Sequence, residues 1–280
     1  FNSQLSLQEI SRLGLGILDT LEQNDTLVYF NDTALQVLID EYGWGGSINQ
    51  HRNDYVYVID SNVGWSKVDR NIQRGTQYTV DLRNPRRPRS TLSLKYRNHS
   101  GPGSPPCDPQ WLNRGSNYSQ LKNACYWNFI RTYIPQGSIL LSNTPLPLPK
   151  YSVAAEVGHG IPGSDTSTVY SSHGKIVFSG IKSTGAGEID NISIVYDLPG
   201  NLIEMIDNQV NYSLEMGKQP GVRERDVSIE IMVPHNYKFE SSSIVPLKIS
   251  ADRLFFEFKL DRDILIEVKF KEVSDDPTQM

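Results

Sequence analysis

From residue 4 to 23, "QLSLQEISRLGLGILDTLEQ" sets Leu5, Ile10, Leu13, Ile17 and Leu21 at the spacing of an amphipathic helix. Ser6 stands where an N-cap is needed, and Glu9 three residues on completes a capping box. A short strand is expected over Leu27 to Phe30. A second amphipathic helix follows in "NDTALQVLIDEYGW", capped by Asn31 or Asp32 and stopped by Gly43, Gly45 and Gly46. The period then changes. In "DYVYVIDSN" (54–62) Tyr55, Tyr57 and Ile59 alternate with Val56 and Val58, which predicts a strand.

"TQYTVDL" (76–82) and "STLSLKY" (90–96) read as a hairpin, and "CYWNFIRTYIP" (125–135) as a strand ended by Pro135-Gln136-Gly137. The proline-dense "NTPLPLPK" (143–150) is the expected domain boundary. Beyond it "KIVFSGI", "NISIVYDLP", "QVNYSLEM", "VSIEIMVP", "IVPLKIS", "RLFFEFKL" and "DILIEVKF" recur at the spacing of a β-sandwich. The last two are expected to pair as a half-buried hairpin with their charges outward. The expected fold is therefore α+β then all-β: an antiparallel sheet with two helices over 1–145, followed by a β-sandwich over 146–280.

Composition supports many turns. Hydrophobic residues make up 38% of the 280 residues, roughly 40% with Gly counted in place of Tyr, below the usual ~45–50%. The net charge of -5 gives no electrostatic reason to expect nucleic acid. Apolar stretches such as Ile139-Leu140-Leu141 are far too short to cross a bilayer. Phe1 is not an initiator Met, so a processed or truncated product is expected, with any membrane anchor upstream.

Cys107 and Cys125 bracket a loop rich in Pro, Gly and Asn, where a disulfide would contribute about 3 kcal/mol through loop closure. That pairing implies an oxidising compartment. Neither cysteine has a CxxC partner and only His99 is near in sequence, which argues against a metal site. Six N-x-S/T sequons begin at Asn24, Asn31, Asn98, Asn117, Asn191 and Asn211, and they are weak evidence in a chain this rich in Asn and Ser.

Nucleophile and phosphate motifs are absent. There is no GxSxG, HExxH, EF-hand loop or Walker A sequence, and "GHGIPGSD" (158–165) lacks the strand-to-helix context that exposes a serine. His159 and His173 lie in Gly- or Ser-rich loops, which favours a turn role over a triad. "STGAGEID" (183–190) reads as a turn. The arginines of "QRG", "NPRRPRS" and "GVRERD" read as a solvated edge before an anion site. No catalytic residue, metal ligand or cofactor is assigned. Asp60, Ser61 and Asn62, with Lys67 available to pair with Asp60 or Asp69, read first as a structural turn needing φ > 0 near Gly64. A ligand-contacting site is the alternative.

A resemblance adds to this reading. "LVYFNDTALQVLIDEYGWGGSI", "DYVYVIDSNVGWSKVDRNIQRGTQYTVDL", "STLSLKYRN", a Cys-bounded loop and "CYWNFIRTYIPQGSILL" follow in an order similar to the C-terminal half of a bacterial surface-protein family. That family occurs in Chloroflexi, actinobacteria and other groups with unusual envelopes. The "KQPG" of "NYSLEMGKQPGVRERDVSIEIMVP" resembles a turn common in its terminal strands. The resemblance implies an upstream transmembrane helix and an upstream segment somewhat similar to the LytR-CpsA-Psr phosphotransferases.

The expectation is an extracellular, envelope-anchored structural or interaction module, non-catalytic in this segment, whose partners are other envelope proteins or surface glycan. One competing expectation is the C-terminal part of a glycopolymer phosphotransferase. The other is a carbohydrate-binding sandwich, which would need an exposed aromatic platform. For the interaction module, exposed edge strands and aromatics such as Trp44, Trp65, Trp111 and Trp127 are candidate contacts, against the usual claim of core packing.

Overall fold

The computed structural model describes residues 6–101, 104, 107–108, 117–152 and 160–273. Helix α1 spans Leu7–Glu22, and its capping box forms as expected: Ser6 Oγ accepts from the Glu9 N–H while Glu9 accepts from the Ser6 N–H. Helix α2 spans Thr33–Glu41, with the Asp32 carboxylate accepting from the Ala34 and Leu35 N–H groups. The expected strand at 27–30 is absent, and that segment is held by a single ladder-like bond, Val28 N–H to the Trp44 carbonyl at 2.9 Å. A short helix α3, Tyr118–Lys122, precedes the second cysteine.

The rest is mostly strand. The strands are β1 (Asp54–Asn62), β2 (Ile72–Asp81), β3 (Arg89–Asn98), β4 (Tyr126–Pro135), β5 (Ile139–Asn143), β6 (Thr168–Ser172), β7 (Lys175–Thr184) and β8 (Ile189–Asp197). They continue with β9 (Glu204–Ile206), β10 (Gln209–Gly217), β11 (Arg225–Met232), β12 (Tyr237–Ser242), β13 (Lys248–Ile249), β14 (Arg253–Leu260) and β15 (Ile264–Glu272). They form two sheets. One runs β12-β15-β10-β1-β4-β7-β6, with β9 also on β10; the other runs β13-β14-β11-β2-β3-β8-β5.

Three expectations are corrected by this topology. The sheets are mixed, not antiparallel throughout, because β1 pairs in parallel with β10 and β2 in parallel with β11. The division at 145/146 does not separate two sheet systems. Each sheet takes strands from both sides of it, with β1 and β4 lying between β10 and β7, and β2 and β3 between β11 and β8. Finally, β14 and β15 are not a hairpin: β14 pairs with β11 and β15 with β10, so the chain changes sheet across Asp261–Asp263. Alternation predicted the faces of these strands correctly but carries no information about partners.

Both sheets give their inner faces to one buried core. Val56, Val58, Ile130, Phe178, Tyr212, Leu214 and Val268 come from the first sheet, and Tyr78, Leu92, Leu94, Ile194, Ile229 and Phe256 from the second. The outer face of the first sheet has a smaller cluster, Tyr55, Tyr133 and Val177, against which Ile48 packs. The helices are not packed on a sheet as expected. Leu21 is the one buried residue of α1, and α2 has none. The inner faces cover each other, so closing the main core needs no helix.

Candidate functional site

The inner face of β1 is acidic at both ends: Asp54, Val56, Val58 and Asp60 all point inward, with side chains two residues apart on one face. Asp60 is therefore in a strand and buried, not in a turn. Its Oδ2 accepts from Arg74 Nε at 3.1 Å and from Arg225 Nη2, while Oδ1 accepts from Tyr96 Oη at 2.6 Å and Asn128 Nδ2 at 2.8 Å. Arg74 also reaches Asp69 at 2.6 Å and Tyr126 Oη at 3.0 Å. Burial alone would raise the Asp60 pKa, but Arg225, Arg74, Tyr96 and Asn128 outweigh it and hold the carboxyl below its ordinary value. Two acids against two guanidiniums leave the cluster balanced; Asp60, Arg74 and Arg225 are buried, and Asp69 is half-exposed at its edge.

About 20 Å along the strand, Asp54 is fully buried. Its Oδ2 accepts from Tyr78 Oη and Tyr212 Oη, each at 2.5 Å, and Tyr78 Oη lies 2.6 Å from Ser90 Oγ. Here burial dominates the hydroxyl donors, and the pKa is pushed up to about 6. Each acid on β1 thus ties the first sheet to the second through side chains of β2 and β3.

The remaining residues of the expected polar site separate from Asp60. Asn62 does organise a turn: its amide donates to the Ser66 carbonyl at 3.1 Å and its Oδ1 accepts from the Gly64 N–H at 3.2 Å. The left-handed residue is Trp65, with φ 54, not Gly64. Gly64 is required for another reason, since a Cβ there would lie 2.8 Å from Trp127 Cδ1. Ser61 is partly buried, with Arg131 Nη2 3.5 Å from its Oγ. Lys67 is exposed and its N–H donates to the Leu121 carbonyl at 2.8 Å, while Asp60 and Asp69 both pair with Arg74 instead. The expected Lys67 pairing is not formed.

That turn presents an aromatic surface. Trp65 is 58% exposed, and Tyr118 on α3 is 60% exposed. Trp127 is buried and Trp44 half-buried against Tyr42, with ring centroids 4.9 Å apart. Trp111 and His159 lie outside the described residues. Cys107 and Cys125 are joined in a disulfide. Asn98 pins the region by donating to the Ala124 and Thr184 carbonyls at 2.9 and 3.1 Å. Of the sequons, Asn24 and Asn98 are buried and cannot take a glycan in the folded chain, whereas Asn31, Asn117 and Asn191 are exposed.

A cleft of about 630 Å³ separates the 40–51 segment from the outer face of the first sheet. Two of its carboxylates are already engaged. Glu215 accepts from Asn49 Nδ2 at 2.9 Å and Asn53 Nδ2 at 3.1 Å, and Asp263 from the Lys218 N–H at 2.6 Å. Burial raises the Asp263 pKa, against the Lys218 N–H bond. These contacts strap 47–53 to the sheet. The "KQPG" sequence does form a turn: Val222 N–H meets the Gln219 carbonyl at 3.3 Å, and Gly221 has φ 74, as a type II turn requires. The Gln219 amide then bonds both the N–H and the carbonyl of Asp60 at 2.8 Å, extending the β1–β10 ladder with a side chain. Lys218 is buried and reaches the Gln23 carbonyl and Asp25 Oδ1, so the same turn clasps the end of α1.

Sequence reading placed Arg74 and Arg225 on a solvated edge; both are buried. Strict alternation held the signal. Ile72, Arg74, Thr76, Tyr78 and Val80 share one face of β2, as Arg225, Val227, Ile229 and Ile231 share one of β11.

Beyond α1's clasped end, large apolar side chains stand in solvent. Leu7 is 85% exposed, Leu13 and Ile17 54% each, and Tyr29 76%. Ile10, Leu15, Leu18, Leu27, Phe30, Leu35, Val37, Leu38 and Tyr42 are exposed as well. Gly14 and Gly16 face open space. Among the described residues no helix is long and apolar enough to cross a membrane, and no three His, Cys, Asp or Glu side chains converge as a metal site requires.

No family model matches the chain, and none of the curated proteins is similar to it. Among solved structures, an M1 zinc metallopeptidase from Deinococcus radiodurans is similar at 8% identity and a TM-score of 0.34, over 72% of this chain and 43% of that one. A nutrient-binding protein from Legionella pneumophila is similar at 6% identity and a TM-score of 0.33, over 78% of this chain and 70% of that one. The chain thus spans less than half the length of the peptidase.

Proposed function

We propose that the chain is a non-catalytic interaction module of an oxidising, extracellular compartment, built as a two-sheet sandwich and joined to an envelope assembly by its N-terminal helices. One observation carries this reading: residues 7–42 leave most of their apolar side chains outside while the two sheets bury their own. An exposed apolar surface of this extent marks a binding site. The Cys107–Cys125 disulfide supports the compartment. The resemblance to envelope surface proteins agrees with both.

The test is isolation of the chain from its native source, without protease and non-reduced, with hydrogen exchange on the isolated material. The expected outcome is an oxidised chain in a complex, with α1 amides protected relative to the free protein. Two free thiols, or equal α1 exchange in complex and free chain, would overturn the reading.

A second reading, glycan binding, is favoured by Trp65. A bulky residue held at positive φ costs free energy, and such strain clusters at functional sites. Its exposed indole offers a flat surface on which a sugar ring can stack. The glycopolymer phosphotransferase reading finds no support in the one Arg/Asp cluster described above, which is buried and internally paired.

A further inference from the structure

The charge of the chain is as unevenly placed as its exposed apolar surface. Residues 1–42 hold seven acids, Glu9, Asp19, Glu22, Asp25, Asp32, Asp40 and Glu41, against the single base Arg12. They carry net charge -6, and residues 43–280 carry +1. The segment that presents Leu13 and Ile17 to solvent is therefore also the source of all the net negative charge.

We propose that α1 docks into an apolar groove of a partner protein rimmed by Lys and Arg side chains. This rests on the interaction-module reading above and names the partner's chemistry. The docking face is a shallow apolar groove along α1, lined by Leu13, Gly16, Ile17 and Thr20 with Glu9 and Arg12 at its N-terminal end. Among the described residues the helix is held only at its other end. Arg262 bonds Glu22 at 2.8 Å and lies 3.7 Å from Asp19, and Lys218 holds Gln23 and Asp25. From Leu7 to Leu18 it projects free of the sheets, as a helix laid into a groove must.

Charge selects among occupants. A second copy would bring one -6 segment against another, and like charges across an interface are costly. An anionic bilayer repels the segment in the same way, and helices that lie on membranes are rich in Lys and Arg, of which α1 has one. A basic-rimmed groove satisfies both the apolar face and the surrounding acids.

The experiment uses the full chain with two synthetic amphipathic helices of about 18 residues, one Leu/Lys and one Leu/Glu, with the same apolar face. Anisotropy is read at low and high NaCl. The chain should bind the Leu/Lys peptide, bind Leu/Glu about tenfold more weakly or not at all, and lose affinity as salt screens the acids. The double variant Leu13→Ser/Ile17→Ser should lose about tenfold. Both residues are exposed, so its near-UV circular dichroism should match wild type.

If both peptides bind equally and the variant loses both, the docking face stands and the basic-groove assignment falls. Binding to Leu/Lys that the variant leaves unchanged assigns the affinity to general charge and overturns the proposal. Sedimentation as a dimer that the variant dissociates, or flotation with phosphatidylglycerol vesicles, would give the face to a second copy or to lipid. If neither peptide binds, the docking face itself falls.

Discussion

At the residue scale, Asp60 and Asp54 are opposite solutions to burying a carboxyl. Asp60 is surrounded by cations and donors, so removing its charge strands Arg225 and half-strands Arg74 in the core. Asp60→Ala should cost about 3–5 kcal/mol in urea denaturation, while Lys67→Ala, at an exposed position, should stay within about 0.5 kcal/mol. Asp54 has only neutral donors on its carboxylate, the Tyr78 and Tyr212 hydroxyls and the Tyr55 N–H, and a Lys175 charge at longer range. Its folded pKa, about 6, lies above the ordinary 3.8, so the folded state binds more protons between those values. The stability it contributes is complete below the unfolded pKa and is lost as pH rises through the folded one. Over that window the loss is on the order of 3 kcal/mol. Asp54→Asn cannot titrate, so its stability relative to wild type should improve by that order between pH 4 and 7. A pH-independent difference between the two proteins would show that Asp54 titrates normally.

At the scale of elements, β1 and its following turn show what the chain reveals locally and what it hides. Alternation placed Val56 and Val58 on one face, and continuing the same rule two residues each way puts Asp54 and Asp60 there too. The rule says nothing of what those acids meet, because Arg74, Arg225, Tyr78 and Tyr96 arrive from strands of the other sheet. Helix caps and the Cys107–Cys125 pairing were legible because they depend on neighbours in sequence or on chemistry without alternatives. The β14–β15 pairing was not, since a short connection suits a hairpin and a change of sheet equally well. Gly64 is a similar case: the sequence suggests a glycine for its φ, and the structure uses it for the approach of Trp127. Gly64→Ala should therefore destabilise the chain by about 1–3 kcal/mol through overpacking. Its tryptophan emission should shift as the Trp127 ring moves. An unchanged spectrum and midpoint would mean that the turn can yield without cost.

For the whole molecule, the interleaving of strands decides how the chain can be divided. Cutting at the proline-dense connection would leave β1–β4 and β2–β3 as separate antiparallel fragments, each stripped of its parallel partner and of most of the facing core. Residues 1–145 and 146–280 expressed separately should give no cooperative thermal transition, whereas two independent domains would each give one. The connection itself is not a free linker. Leu146 and Leu148 are buried, the Thr166 N–H donates to the Leu146 carbonyl at 2.8 Å, and the Leu148 N–H donates to the Ser164 carbonyl at 2.7 Å. Proteolysis needs local opening of the backbone, and buried, bonded segments open least. Limited digestion of the native chain should therefore spare residues 144–149 and cut first in exposed segments such as α1. Early cleavage between Thr144 and Pro149, with both halves staying folded after separation, would restore the two-domain division that the sheets argue against.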